Sequence, residues 1–409
     1  MDQTLVALDV GTTKICTLVA EVEEGALRIV GAGIAPSRGM RKGVVVNLDE
    51  AQAAMAASVR RAEEISGYKI ERAFVGSSGA HISSLNSRGV AAIARSSRGV
   101  TQEDMDRAME AAQAVSIPHH REIIHAIPRG YTVDGQDGIR SPLGLQGYRL
   151  EVEAHLVTGA VAPLHNLIKC VEAAGVEATD LVLEPIAAGE AVLSPAEKEM
   201  GVVLADIGGG TTDVAIFIEG SVWHTSILAV SGNHLTNDIA VGLRTPFATA
   251  EEIKLRHGHA LPESITPEES IDVAAFGEAG RKPVSRRWLS QIIEARVEEI
   301  FALILKEIKR SGYDGLLPAG VVLCGGSALL TGLREYTSRA LDMPARIGRP
   351  REVEGLVDMI GSPAYATSVG LLLWGMRRSQ EPAPGGRVLS RSHSMPKRLQ
   401  GWLRALLPG

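Results

Sequence analysis

Two short polar turns carry residue types that can hold phosphate. "DVGTTK" contains Asp9, Gly11, Thr12, Thr13 and Lys14, and "DIGGGTTD" contains Asp206, Gly208, Gly209, Gly210, Thr211 and Thr212. Glycine lets backbone N–H groups crowd around an anion, and threonine hydroxyls add donors. Facing one another, two such turns would clasp a polyphosphate from both sides. Asp9 and Asp206 stand at strand ends leading into the turns, where carboxylates can hold a hydrated divalent cation against phosphate oxygens. Lys14 adds a positive charge beside the phosphates. A magnesium nucleotide explains these acids better than phosphate alone, because bare carboxylates would repel the anion. A single glycine-rich turn can merely connect a hairpin; the pair, set in duplicated surroundings, favours nucleotide binding. Neither GxxxxGK[ST] nor a dinucleotide fingerprint is present, which points away from P-loop and Rossmann sites. A third glycine pair, in "VVLCGGSALLTGL", makes Gly325, Gly326 and Ser327 candidates for an adenine pocket, since backbone without side chains lets a flat ring approach closely.

The elements that must position these turns occur twice. After "DVGTTK" come a strand pattern, a turn at "VEEG", the strand "ALRIVGAGIA" and the helical pattern "DEAQAAMAASVRRAEEI". After "DIGGGTTD" come "VAIF", a turn at "IEG", the strand "SVWHTSILAV" and the helical "HLTNDIAVGL". The repetition indicates two α/β lobes of common design, each with a mixed sheet.

Segments of different texture interrupt the lobes. From Leu85 to Thr158 lie the helix candidate "TQEDMDRAMEAAQAVSI", with Thr101 and Asp104 as an N-cap pair, and the strand candidates "REIIHAIPRGYTV" and "YRLEVEAHLVTG". A second insertion runs from Leu243 to Ile300 and leads into the long helix candidate "SRRWLSQIIEARVEEIFALILKEIKRSG", whose Leu289, Ile292, Ile293, Val297, Ile300 and Leu303 share one face. The expected division is 1–84 with 159–198 for the first lobe, 85–158 for its insertion, 199–242 with 301–378 for the second lobe and 243–300 for its insertion. Residues 379–395, rich in Pro, Gly, Ser and Arg, read as a flexible linker.

The last stretch, "MPKRLQGWLRALLPG", reads as an amphipathic helix over 396–408. Leu399, Trp402, Leu403, Leu406 and Leu407 form an apolar stripe, with Lys397, Arg398 and Arg404 off it or at its edge. A helix of about twelve residues spans roughly 18 Å, too short to cross a membrane but suited to lying along its surface. Burial of the stripe yields on the order of 8 to 12 kcal/mol gross, and each cation near anionic lipid adds about 1 kcal/mol. Ordering the segment costs a comparable amount, so one tail binds reversibly and several on a polymer bind firmly. Docking of this helix back onto the protein's own core is the competing reading, and the linker argues against it.

Composition narrows the classes. The 409 residues are 45% hydrophobic, enough for more than one core, and the net charge of −6 offers no general footprint for nucleic acid. Cys16, Cys170 and Cys324 are far apart in apolar runs, without metal-ligand spacing, and read as reduced core residues. The N-terminus enters a strand pattern at once, leaving no room for a signal peptide, and no apolar run approaches the roughly 20 residues of a membrane span. The expectation is a cytosolic protein whose membrane contact is peripheral.

The chain resembles the actin-like ATPase superfamily through "DVGTTK", "LEPIAAGEAVL", "DIGGGTTDVA", "AEEIKLRHG" and "CGGSALLTG", all in order. Within it the chain is similar to the FtsA family of bacterial cell-division proteins. The segments that carry this include "NSRGVAAIA", "AAQAVSIPHHREIIHAIPRGYTVDGQDGI", "HLTNDIAVGLRTP" and "SPAYATSVGLLLWG", so the likeness covers nearly all the chain up to the linker. It implies the actin-like fold with two lobes, an FtsA-type inserted subdomain and a membrane-targeting C-terminal helix. It also implies ATP and Mg2+ as cofactors: Asp9, Thr12, Thr13, Lys14 and Gly208 to Thr212 on the phosphates, Asp206 near magnesium, and Glu251 with Lys254 on ribose and base. Gly232 and Asn233, in "AVSGNHLTNDIA", join the cofactor set, and Ser231 departs from a glycine usual in the family, which puts local geometry there in question.

Glu184, in "LEP", matches the superfamily position that orients attacking water, although a glutamate at a helix start can equally complement the helix dipole. Weak or slow hydrolysis is expected. The implied role is a polymerising adaptor at the inner face of the cell membrane, which tethers the tubulin-like protein FtsZ and recruits other divisome proteins. FtsA resemblance puts the FtsZ site in the second insertion, where Arg286, Arg287 and Arg296 could meet acidic groups, although helix charges are more often a solvated face. The alternatives are a soluble kinase or chaperone of the superfamily, neither of which explains the tail, and a pilus-assembly relative of the same fold.

Overall fold

The structure, a computed structural model, describes residues 3–94, 98–274, 276–277 and 280–380. Of the expected linker 379–395, Ser379 and Gln380 instead end the helix Ala366–Gln380; its remainder and the tail residues Lys397, Arg398, Leu399, Trp402, Leu403, Arg404, Leu406 and Leu407 lie outside the described residues.

Each lobe is built on an apolar hairpin. In the first, Gln3–Val10 pairs antiparallel with Lys14–Glu23, which pairs with Ala26–Pro36. Arg72–Ser77 and Glu177–Leu183 extend this sheet in parallel on the other side. In the second, Val202–Ile207 pairs antiparallel with Thr212–Ile218, which pairs with Ser221–Leu228, and Val321–Cys324 and Ala345–Ile347 add in parallel. The two sheets thus repeat one mixed design, as the duplicated sequence blocks suggest.

Strand alternation decides which core each residue joins, because successive side chains point to opposite faces. Val202 and Leu204 enter the core shared with the first sheet, whereas Val203, Ala205 and Ile207 enter the second. With both faces covered, the strand shows no polar alternation. Helix Glu184–Val192 packs closely on this sheet, and a Cβ on Gly189 would stand 2.5 Å from Phe217 Cζ.

The inserted sheet has the order Ile82–Ala92, Arg149–Ala160, Arg121–Val133, Gln136–Ile139. Its first strand begins ahead of Leu85. Helix Gln102–Gln113 starts at a capping box between Thr101 and Asp104, and lays Ala108 and Ala112 into a separate small core, with Met105 and Met109 against it. In the second lobe, Arg286–Ser311 is one unbroken helix, so the expected limit at Ile300 falls inside it. Its Leu289, Ile293, Val297 and Ile300 are buried; Ile292 and Leu303 are partly buried against the same core.

The end of the chain departs from the expected division. The sequence places residues 301–378 with the second lobe, but Val353–Gly355 pairs with Ala26–Pro36 at the edge of the first sheet. The helix Ala366–Gln380 then buries Val369, Leu371, Leu372 and Leu373 in the first lobe's core. Its sequence is apolar nearly all round, which predicts burial but does not select the partner. Cys16, Cys170 and Cys324 are buried and free. No helix among the described residues is long and apolar enough to cross a membrane.

Candidate functional site

The two turns meet. In the first hairpin Asp9 stands opposite Cys16, and in the second Asp206 stands opposite Asp213. A Cβ built on Gly209 would overlap Thr13 Cγ2, and one on Gly210 would overlap Thr12 Oγ1. Only glycine lets the second turn come this close to the threonines of the first. A third turn abuts them: Gly325 adopts a left-handed φ of 83°, and a Cβ there would overlap Asp206 Oδ1. The Ser327 hydroxyl donates to the Gly208 carbonyl at 3.2 Å, and Gly232, where a Cβ would lie 2.5 Å from Ser327 Oγ, donates its N–H to the same carbonyl at 3.0 Å.

These turns surround a cavity of about 350 Å³. Asp9, Gly11, Thr12, Thr13, Lys14, Glu184, Asp206, Gly208, Gly209, Gly210, Thr211, Gly232, Asn233, Glu251, Lys254, Gly325, Gly326 and Ser327 all line it. Thr212 does not: it is fully buried and its hydroxyl donates to the Val230 carbonyl at 2.7 Å, so its part is to tie the hairpin to the next strand. Ser231 also stays out of the cavity. Its side chain is buried and its hydroxyl donates to the Gly209 carbonyl, so the hydroxymethyl group braces the turn instead of crowding the cleft.

The floor of the cavity is rich in carboxylates. Burial, followed by the charges of Asp213, Asp9 and Asp206, holds the Glu184 carboxyl well above the usual range. Burial raises Asp206 to about 6 against a hydrogen bond from Thr367, and raises Asp213 to about 8 with the charge of Asp206 adding to it. Asp213 Oδ2 accepts from Ser78 at 2.7 Å, while its buried Oδ1 has no hydrogen-bond partner. Against these acids stands Lys14, whose Nζ donates to the Ala364 carbonyl at 2.6 Å and lies 4.5 Å above the Tyr365 ring. Glu184 is also the first residue of its helix, so position at the dipole's positive end and access to the cavity hold together.

At the rim, Glu251 and Lys254 pair at 2.7 Å, with the Thr236 hydroxyl between them: it donates to Glu251 and accepts from Lys254. Leu255, Leu329 and Leu330 give this end an apolar wall.

Sequence reasoning missed Asp213, Ser78, Thr367 and Ser368. Asp213 had a signal, since it closes the "DIGGGTTD" run and must face Asp206 in a tight hairpin. The others come from distant segments and become neighbours only in three dimensions. Outside the cavity lining, Arg286 pairs with Glu269 at 2.6 Å and Arg296 with Asp238 at 2.6 Å, whereas Arg287 is exposed. Asp238, Arg296, Trp288 and Ile292 border a surface groove.

Two mixed-sheet lobes whose glycine turns close on one acidic cleft define the actin-like ATPase fold. Solved structures agree: the PilM–PilN type IV pilus biogenesis complex superposes with a TM-score of 0.67 over 92% of this chain and 99% of that one, at 16% identity. MreB5 of Spiroplasma citri bound to ADP gives 0.57 over 93% and 99%, at 15% identity. At these identities the likeness is of fold alone, so the first gives no support to a pilus function.

Sequence relatives are more specific. Residues 203–370 match the family model "Cell division protein FtsA", and residues 79–158 match "SHS2 domain inserted in FTSA". Cell division protein FtsA of Pseudomonas aeruginosa is 44% identical over 92% of this chain and 90% of its own length. That of Escherichia coli K12 is 36% identical over 98% and 97%. The chain belongs to the FtsA family of cell-division proteins.

Proposed function

We propose that this protein binds ATP in the cleft and acts as a polymerising membrane adaptor for FtsZ during division. What carries the nucleotide reading is the single cavity in which both glycine turns, the third glycine pair and the Glu251–Lys254 pair converge. Thr12, Thr13 and the N–H groups of both turns would bind the phosphates, Lys14 would offset their charge, and the apolar wall with Gly325 and Gly326 would take the base.

The acids fit a hydrated cation. Asp9, Asp206 and Glu184 line the cavity with Asp213 buried opposite Asp206, and the raised carboxyls of Asp206, Asp213 and Glu184 are those of acids whose charged forms a bound cation would stabilise. Magnesium held here would have its coordination completed by water and phosphate oxygens. Asp9 and Asp206 would hold Mg2+, which when bound would neutralise phosphate charge. Glu184, which lines the cavity, would orient the attacking water.

The adaptor reading rests on family membership and on the sequence of the tail, whose Leu399, Trp402, Leu403, Leu406 and Leu407 would enter the cytoplasmic face of the inner membrane. FtsZ would dock on the second lobe beside Arg287, in the groove bordered by Trp288 and Arg296. Arg286 and Arg296 would first have to exchange their internal partners.

The test is recruitment of fluorescent FtsZ to anionic vesicles with Mg-ATP, by the full chain and by one ending at Gln380. Recruitment by the full chain alone supports tether and partner together. Vesicle binding without FtsZ removes that partner, and equal recruitment by both chains removes the tail.

A further inference from the structure

Five residues of the six from Pro363 to Ser368, ahead of and within the closing helix, touch the cleft turns of both lobes. The Pro363 carbonyl accepts the Gly325 N–H at 3.0 Å, and the Ala364 carbonyl accepts Lys14 Nζ at 2.6 Å. Tyr365 lies under that same ammonium. One turn further on, the Thr367 hydroxyl donates to Asp206 Oδ2 at 3.0 Å, and the Ser368 hydroxyl donates to Asp9 Oδ2 at 2.6 Å. Thr367 is 6% exposed and Ser368 fully buried.

A serine or threonine within a helix ordinarily returns its hydroxyl to the carbonyl one turn back. Here both hydroxyls point away from their helix to carboxylates of two different sheets: Asp9 lies on Gln3–Val10, Asp206 on Val202–Ile207. The helix itself packs in the first lobe, so Ser368 fixes a carboxylate of its own lobe and Thr367 reaches across to the other.

We infer that Thr367 and Ser368 are positioning residues of the cleft, adjacent hydroxyls on one rigid helix that set the separation between Asp9 and Asp206 and, through it, the spacing of the two lobes. Hydrogen bonds to charged acceptors are the strong ones, and both are buried. The stem is stiff as well, because threonine has restricted χ1 freedom. The inference rests on the nucleotide reading only for its ligand-binding consequence; the lobe spacing stands apart from it.

The experiment compares Thr367→Val, Ser368→Ala and Thr367→Ser in the full chain. The first two remove a hydroxyl at nearly constant shape, and the third keeps it. Binding of a non-hydrolysable ATP analogue is measured by calorimetry in EDTA and in excess Mg2+. Thr367→Val should lose about tenfold of the affinity gained from Mg2+, the scale of one charge-assisted hydrogen bond, with affinity in EDTA changed by less than about twofold. Ser368→Ala should behave likewise, and Thr367→Ser should restore the wild-type gain. A structural role alone would lower both affinities together, and an undiminished Mg2+ gain in Thr367→Val would overturn the inference.

Lobe spacing is read without any ligand, by electron–electron resonance between spin labels at Glu64→Cys and Lys309→Cys, two exposed positions on different lobes. Broadening of the distance distribution in Thr367→Val supports the inference. An unchanged distribution overturns it, even if the wild-type chain binds no nucleotide, a result that would refute only the nucleotide reading.

Discussion

The two phosphate turns occupy the same place in duplicated hairpins, yet they are built from opposite materials. The first places side chains at its tip, Thr12, Thr13 and Lys14; the second places backbone, Gly208, Gly209 and Gly210. The strand residue opposite the leading aspartate differs in the same sense. It is Cys16, an apolar filler, in the first hairpin and Asp213, a second acid, in the second. Duplication therefore preserved the frame and divided the chemistry: one turn supplies hydroxyls and the ammonium, the other supplies the space for them and a second acid opposite its leading aspartate. Neither turn alone makes a site, because the threonines of one fill the volume left by the missing side chains of the other.

The sharpest way to break this complementarity is to fill that volume. Gly210→Ala puts a methyl group where Thr12 already stands, with the Oγ1, Cβ and Cγ2 atoms all within 3 Å of it. The lobes would have to part, and overpacking of this kind costs roughly 1–3 kcal/mol, so nucleotide affinity should drop about 100-fold while circular dichroism shows the fold retained. Thr12→Gly added to Gly210→Ala should recover part of the loss, since it vacates the contested space. If Gly210→Ala binds nucleotide as wild type does, the close approach is not what builds the site.

The acid asymmetry is sharpened by pH. Asp206 and Asp213 have folded pKa values raised above their unfolded ones, to about 6 and about 8, so the folded chain holds more protons than the unfolded chain between about pH 4 and pH 8. Stability supplied by these groups is full below that window and is lost as pH rises through the folded values. Buried His81, His125 and His155 act in the opposite direction, with folded values lowered by burial to about 4, about 4 and about 3, and their penalty falls on the acid side of pH 6.5. Above about pH 7.5 the unfolded imidazoles are essentially neutral as well, and the acids dominate among these groups. The melting temperature of the ligand-free protein in EDTA should therefore fall by roughly 1 °C between about pH 7.5 and 8.5. In Asp213→Asn most of the decline should vanish. A flat wild-type curve would mean that the second turn's extra acid is not held protonated.

Both turns could be read from sequence because each is a contiguous run whose residue types declare their use. The strands and the faces of the long helices were legible for the same reason: burial follows a local period, as with Ala108 and Ala112 or Ile293 and Val297. What escaped is what depends on return paths. "VGLLLWGM" announces burial, but nothing local tells that it packs in the first lobe after a strand pairs with Ala26–Pro36. Thr367 and Ser368 escaped with it, as did Ser78, 135 positions from its partner Asp213. Thr212 erred the other way: a motif threonine by type, it faces Val230 and not the cleft, because the strand begins one residue before the motif ends.

The mildest test concerns Ser231, where the family resemblance leads one to expect glycine. Ser231 has an extended backbone, with φ at −175°, so it needs no glycine conformation, and its hydroxyl reaches the Gly209 carbonyl. That carbonyl also accepts the Asn233 N–H at 2.9 Å, and Ser231→Gly would leave it satisfied. The loss is then one neutral hydrogen bond without a stranded acceptor, about 0.5–1.5 kcal/mol of stability at most. Nucleotide affinity should move by less than about threefold, since the second turn is also braced by Gly208 N–H to Thr211 carbonyl at 3.0 Å. Calorimetric titration of Ser231→Gly decides between two accounts of the substitution. A gain well beyond that limit would show that the hydroxymethyl group obstructs the turn after all, and the second turn would then depend on more empty space than its three glycines provide.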